Sequence, residues 1–159
     1  MSKSLLSVED LAVEFDTYGG IVKAVRGVSF GVDTGQTLAI VGESGCGKSV
    51  TVQSVMGLIP RPPGRITSGR ATLRGADILG RKTVDGRDIR GREIGMIFQD
   101  PMTSLNPYIR ISDQMAEVLV LHKGMSKKDA IAESVRMLDA VKIPDARNRV
   151  RSFPHEFSG

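Results

Sequence analysis

Apolar and polar residues alternate from Leu5 to Val13 and again from Val22 to Val32, the two-residue period of half-buried strands. Gly19-Gly20 between them reads as a turn. Gly35-Gln36 is a second turn. It leads into Thr37-Leu38-Ala39-Ile40-Val41, a short apolar run that reads as a buried strand, and Ser49 to Leu58 reads as a helix. Pro60-Arg61-Pro62-Pro63-Gly64 then stops regular structure. Gly69 to Ile78 reads as a further β segment. Gly80 to Gly91 is polar and glycine-broken, a loop or a weak helix start, and Glu93 to Phe98 is a compact apolar run that reads as a buried strand.

The pattern changes at Pro101. Apolar spacing from Ile111 to His122 suits a helix. Ser126-Lys127-Lys128-Asp129 has the form of a capping box with Asp in place of Glu. Ile131, Val135 and Leu138 follow at i, i+4 and i+7, which gives the second helix one buried face and ends it before Pro144. Both helices read as scaffold. The expected division is residues 1–100, a core with a β subdomain, and residues 101–159, a helical subdomain.

Composition changes this picture little. The 159 residues suffice for a compact core, and aromatics are scarce at 4% with no Trp, so that core is aliphatic. The net charge of +4 reads first as a solvated basic surface. The arginines between Arg61 and Arg92 are scattered among Gly and Asp without interleaved aromatics, so nucleic acid is not specifically indicated. The single cysteine, Cys46, allows no internal disulfide and fits a reducing compartment. No stretch approaches the roughly 18–20 apolar residues that span a bilayer, so any membrane work falls to other subunits.

The chemistry concentrates in Gly42-Glu43-Ser44-Gly45-Cys46-Gly47-Lys48-Ser49, which fits G-x-x-x-x-G-K-[ST], the phosphate-binding P-loop. Its glycines let successive N–H groups turn inward around phosphate oxygens. The helix that follows adds unpaired N–H groups and the positive end of its dipole, which includes Val50 in the cradle. Lys48 would reach the β- and γ-phosphates and Ser49 would offer its hydroxyl to Mg²⁺. Cys46 sits where small residues are needed, and size explains it better than redox or nucleophilic chemistry. This motif alone leaves kinases, GTPases, helicases and transport ATPases open.

A second stretch narrows the field. Ile94-Gly95-Met96-Ile97-Phe98-Gln99-Asp100-Pro101-Met102-Thr103-Ser104-Leu105-Asn106-Pro107 resembles the Q-loop of ABC-transporter ATPases, in the wording of the subfamily that imports dipeptides and oligopeptides, with nickel importers among its relatives. Val13-Glu14-Phe15, Lys23 through Phe30, and the end Phe153-Pro154-His155-Glu156-Phe157-Ser158-Gly159 are similar to the same subfamily, the last as its approach to the signature sequence. The resemblance covers essentially the whole chain. It implies an α/β P-loop NTPase core of the ABC ATPase type, incomplete, with an N-terminal antiparallel β subdomain and a helical subdomain. It also implies ATP and Mg²⁺ as ligands, with Phe15 stacking on adenine and Tyr18 as a substitute ring. Gln99 would ligate or orient Mg²⁺ and sense the nucleotide state. Ser158 and Gly159 would reach the γ-phosphate held by an opposite subunit. Phe157 stands where many relatives have Leu.

The sequence departs from the family by stopping at Gly159, before the rest of the signature, the second strand ending in Asp, the catalytic Glu and the switch His. Met96 to Asp100 is not that strand, because Gln99 interrupts the apolar run and Pro101 follows directly. His122 and His155 read as surface histidines. The resemblance implies Lys48 and Gln99 as the catalytic candidates, with Ser49 and Gln99 as metal ligands, and the chain alone is expected to bind nucleotide while hydrolysing it poorly. The resemblance further implies a second ATPase subunit, identical or homologous, and transmembrane permease subunits, met through residues 101–111 at the cytoplasmic face of the inner membrane. Two other readings stay in play: a nucleotide-binding module without turnover, and a soluble ABC protein acting on nucleic acid.

Overall fold

The computed structural model describes residues 4–79, 83–84, 87–99 and 104–157. They form two compact units, residues 1–94 and residues 95–159.

The first unit is built on a four-stranded sheet in the order β2-β1-β3-β4, with β1 Leu6–Thr17, β2 Gly20–Val32, β3 Gly64–Leu73 and β4 Ala76–Asp77. All three pairings are antiparallel. The β1–β2 turn falls at Tyr18-Gly19, one residue earlier than expected, because Thr17 pairs with Gly20. Val8, Leu11 and Val13 are all buried, although the first two are three positions apart. A bulge reconciles this with a two-residue period: Asp10 takes φ 46° and the register shifts there against both neighbouring strands. Val8, Leu11, Val13, Val25, Ala71 and Ile78 make one aliphatic core with Val55 of α1 (Lys48–Val55). Helix α1 ends three residues before the expected Leu58. A small hairpin, β5 Thr83–Val84 with β6 Arg87–Asp88, lies where a loop is expected, and residues 80–82 and 85–86 of that segment are outside the described set.

Two expected strands do not form. Thr37–Val41 joins neither sheet, and Val41 is 86% exposed. Glu93–Phe98 contributes a single bridge, Arg90 to Ile94, and Ile97 is 92% exposed. A strand buried on both faces needs neighbours that take its N–H and C=O groups and cover its side chains. Among the described residues neither segment has such a neighbour.

The second unit holds α2 Ile111–Lys123, α3 Lys127–Ala140, the short α4 Ala146–Arg149 and a 3-10 turn, Pro154–Phe157. Leu138 is buried with Ile111, Ala146 and Val150, and Val135 packs on that cluster. Ile131 packs on Ala116, Leu119 and Ala130, so the expected face of α3 is the one that packs. The cap of α3 differs in detail from a capping box. Ser126 Oγ accepts from Asp129 N at 3.2 Å but donates to Asp129 Oδ2 at 2.6 Å. Asp is one carbon shorter than Glu, and here it meets the hydroxyl. Ser126→Ala is expected to destabilise the chain by about 1 kcal/mol in urea denaturation, and an unchanged midpoint would show that this cap contributes nothing.

Candidate functional site

The P-loop is organised by its own backbone. Gly45 has φ 83° and Gly47 φ 95°, and Gly47 is the N-cap of α1. Both angles lie where L side chains are disfavoured. The first helical bond runs from Thr51 N to Gly47 O at 2.8 Å, and Thr51 Oγ1 donates to the same oxygen at 2.9 Å. No side chain caps α1 and no acidic residue stands in its first turn. The leading N–H groups therefore carry positive potential with no carboxylate of that turn to offset it.

Lys48 closes the loop on itself. Its Nζ donates to Gly42 O at 2.7 Å and to Glu43 O at 2.6 Å, and lies 3.6 Å from Cys46 Sγ. One ammonium thus joins the start of the octet to its end. Ser49 is exposed in the first turn of α1, and Val50 is half-buried against the aliphatic core. Glu43, Ser44 and Cys46 are exposed.

Beside the loop lies a pocket of about 540 Å³, lined by Val22, Lys23 and Arg26 of β2 and by Gly45, Cys46 and Thr51 of the P-loop and α1. It is lined by two cationic side chains and no carboxylate. Such a wall favours an anionic guest. Sequence reasoning singled out neither Lys23, Arg26 nor Thr51 as part of the site. The available signal was weak: two cations three residues apart on a strand that looked like ordinary surface.

Phe15 is half-buried on the aliphatic core and pairs in the sheet with Val22, which lines the pocket. Residues directly opposite in a ladder share a face, so the ring and the pocket wall are neighbours. Tyr18 is fully exposed at the hairpin tip. Gln99 is exposed in irregular backbone of the second unit, and Ser158 and Gly159 lie outside the described residues. Mg²⁺ demands six oxygens and usually keeps phosphate and water among them. Among the described residues no group of three His, Cys, Asp or Glu is placed to hold a metal by itself. His122 is half-buried in the last turn of α2, and His155 stacks on Phe153 with centroids 5.8 Å apart.

A protein-family model described as ABC transporter matches residues 25–159. The chain is 54% identical over 155 residues to the oligopeptide transport ATP-binding protein OppD of Bacillus subtilis, covering 98% of this chain and 43% of that protein. It is 53% identical over 157 residues to the dipeptide transport ATP-binding protein DppD of the same organism, covering 99% of this chain and 47% of the relative. To OppD of Escherichia coli K12 it is 54% identical over 156 residues, covering 98% and 46%. The chain therefore spans less than half the length of these relatives. Among solved structures, the dimeric cassette MJ0796 bound to ADP and Pi gives a TM-score of 0.74 at 18% identity, over 94% of this chain and 62% of that one. A second dimeric structure of MJ0796 gives 0.75 at 20% identity, over 97% and 63%. At those identities the likeness establishes the fold, that of an ABC ATPase cassette in part. The resemblance read from the P-loop and Q-loop wording is borne out.

Proposed function

Since this chain belongs to the ABC transporter family, we propose that it is part of the ATP-binding, energy-coupling subunit of an importer for peptides or related small solutes. The carrying observation is the P-loop itself. The Lys48 ammonium clasps Gly42 O and Glu43 O at the start of an uncapped helix, beside a pocket with Lys23 and Arg26 on its wall. A triphosphate meets every one of these groups with opposite charge. Its oxygens take the first-turn N–H groups of α1 and the Lys48 charge, and the pocket against β2 takes the remainder of the nucleotide, with Phe15 beside it. Ser49 would help hold Mg²⁺, and the ion would supply charge neutralisation to the phosphates.

The wider assembly follows from the same reading. Two such subunits clamp two nucleotides head to tail, with Ser158 and Gly159 of each reaching the γ-phosphate held by the other. On the same reading Gln99 would act as a metal ligand and nucleotide sensor, and residues 101–111 would pass closure to a permease at the cytoplasmic membrane face. Among the described residues no helix is long and apolar enough to cross a membrane.

Hydrolysis needs a carboxylate that orients water, and among the described residues lining the pocket there is none. Loss of a general base lowers turnover by about 10²- to 10⁴-fold. The chain alone is thus a binder with little turnover. Calorimetry with Mg-ATP and a phosphate-release assay test both halves. Saturable one-to-one binding with scarcely detectable release is expected. Absence of binding would overturn the assignment, and rapid release would overturn the account of turnover.

A further inference from the structure

The first turn of α2 has a partner that no part of the nucleotide reading uses. Arg110 is the N-cap of α2, with extended backbone (φ −63°, ψ 148°), and no side chain caps the helix. The first donors of a helix have no partner within it. Here the segment that precedes Ser158 supplies the acceptors: Ile111 N donates to Ser152 O at 3.0 Å and Ser112 N to Val150 O at 2.6 Å. Arg110 Nη1 adds a bond to Arg151 O at 2.9 Å, and its guanidinium carbon lies 5.3 Å from the centroid of the Phe153 ring. Phe153 N in turn donates to Glu156 Oε2 at 2.6 Å, which fixes the start of the 3-10 turn. The other side of the junction is equally tied. Gln114 Nε2 donates to Asn106 O at 3.0 Å and to Ile109 O at 2.8 Å, and its Oε1 accepts from Asn106 N at 2.9 Å.

We propose that Arg110 is a positioning residue that locks the approach 150–157 onto the head of α2 and so holds that approach in one geometry. The functional half of this proposal rests on the proposed reading of Ser158 and Gly159 as the trans-acting signature; the structural half does not. Arginine suits the task because one planar group both donates to a carbonyl and lies over an aromatic face. Lysine keeps the charge and one donor but loses the flat contact. The side-chain contacts of Arg110 are to Arg151 O and the Phe153 ring, so its role is to set the geometry of the approach.

Amide hydrogen exchange on the chain and ATP kinetics on the assembled ATPase test it together. Arg110→Ala is expected to speed exchange of the Ile111 and Ser112 amides about tenfold while leaving Leu119 and Ala130 unchanged. Arg110→Lys should fall between Arg110→Ala and the unaltered chain. In the assembled ATPase, Arg110→Ala should lower kcat about tenfold with Mg-ATP affinity held within about twofold. Uniformly faster exchange across α2 and α3 would reduce Arg110 to general stability and overturn the proposal. Unchanged exchange at Ile111 and Ser112, or a loss confined to nucleotide affinity, would also overturn it. If unaltered protein binds no Mg-ATP, the nucleotide reading fails, while the exchange measurement still decides whether Arg110 holds the approach.

Discussion

Lys48→Ala is expected to weaken Mg-ATP binding by about a hundredfold or more while leaving the melting temperature within a few degrees of the unaltered chain. The two effects separate because the ammonium does different things with and without a guest. Without nucleotide, it bonds two carbonyl oxygens of exposed backbone, Gly42 O and Glu43 O. Water replaces such a donor at a net cost of about 0.5–1.5 kcal/mol per bond. In the proposed complex the phosphates would shield the charge from water, and nothing else would replace it. Truncating one partner of a desolvated charge pair costs about 2–5 kcal/mol, which is roughly 30- to 5,000-fold in affinity. Lys48→Arg keeps the charge but not the shape. A guanidinium is wider than an ammonium and carries its donors in a rigid fork, so it fits poorly between two carbonyls and the Cys46 thiol. It should recover only part of the loss. Calorimetry on all three proteins decides the matter, and affinity within threefold of the unaltered chain for Lys48→Ala would remove the lysine from the site.

The P-loop was legible because its information is local. The glycines, the lysine and the helix start sit within eight consecutive residues, and one backbone path satisfies them. Helix α3 was legible for the same reason: a cap, a period and a stop lie in order along one segment. The segments Thr37–Val41 and Glu93–Phe98 were not. Their apolar character is real, but a strand exists only where another strand pairs with it, and nothing inside either run reports on its neighbours. The β1 bulge was invisible for a related cause. Alternation predicts an even spacing between buried residues, and the odd step from Val8 to Leu11 is resolved only by Asp10 leaving the ladder. Lys23 and Arg26 were missed because they join the site through packing of β2 beside the P-loop. That packing rests on Gly47.

Gly47→Ala is expected to destabilise the chain by about 2–4 kcal/mol, whereas Gly45→Ala costs only about 1 kcal/mol. The comparison is informative because the backbone strain is the same in kind. Gly45 has φ 83° and Gly47 has φ 95°, so an alanine at either meets a similar penalty for left-handed backbone. Their surroundings differ. A Cβ on Gly45 meets nothing within 4 Å, while one on Gly47 runs into the carbonyl oxygen of Ala24 and approaches Val25 Cγ2 at 3.6 Å. Ala24 belongs to β2, whose neighbouring residue Val25 is buried in the aliphatic core. Neither side can yield cheaply. The loop must lift from β2, and with it go the placement of the α1 N-terminus and the pocket wall that Lys23 and Arg26 share with Cys46. Gly47→Ala should therefore also weaken Mg-ATP by about tenfold or more, since a cradle displaced by half an ångström no longer presents its N–H groups in line. Urea denaturation gives the stability difference and calorimetry the affinity. Equal destabilisation by the two substitutions would show that only backbone conformation matters here, and that the close seat of the P-loop on β2 contributes nothing to holding the site in shape.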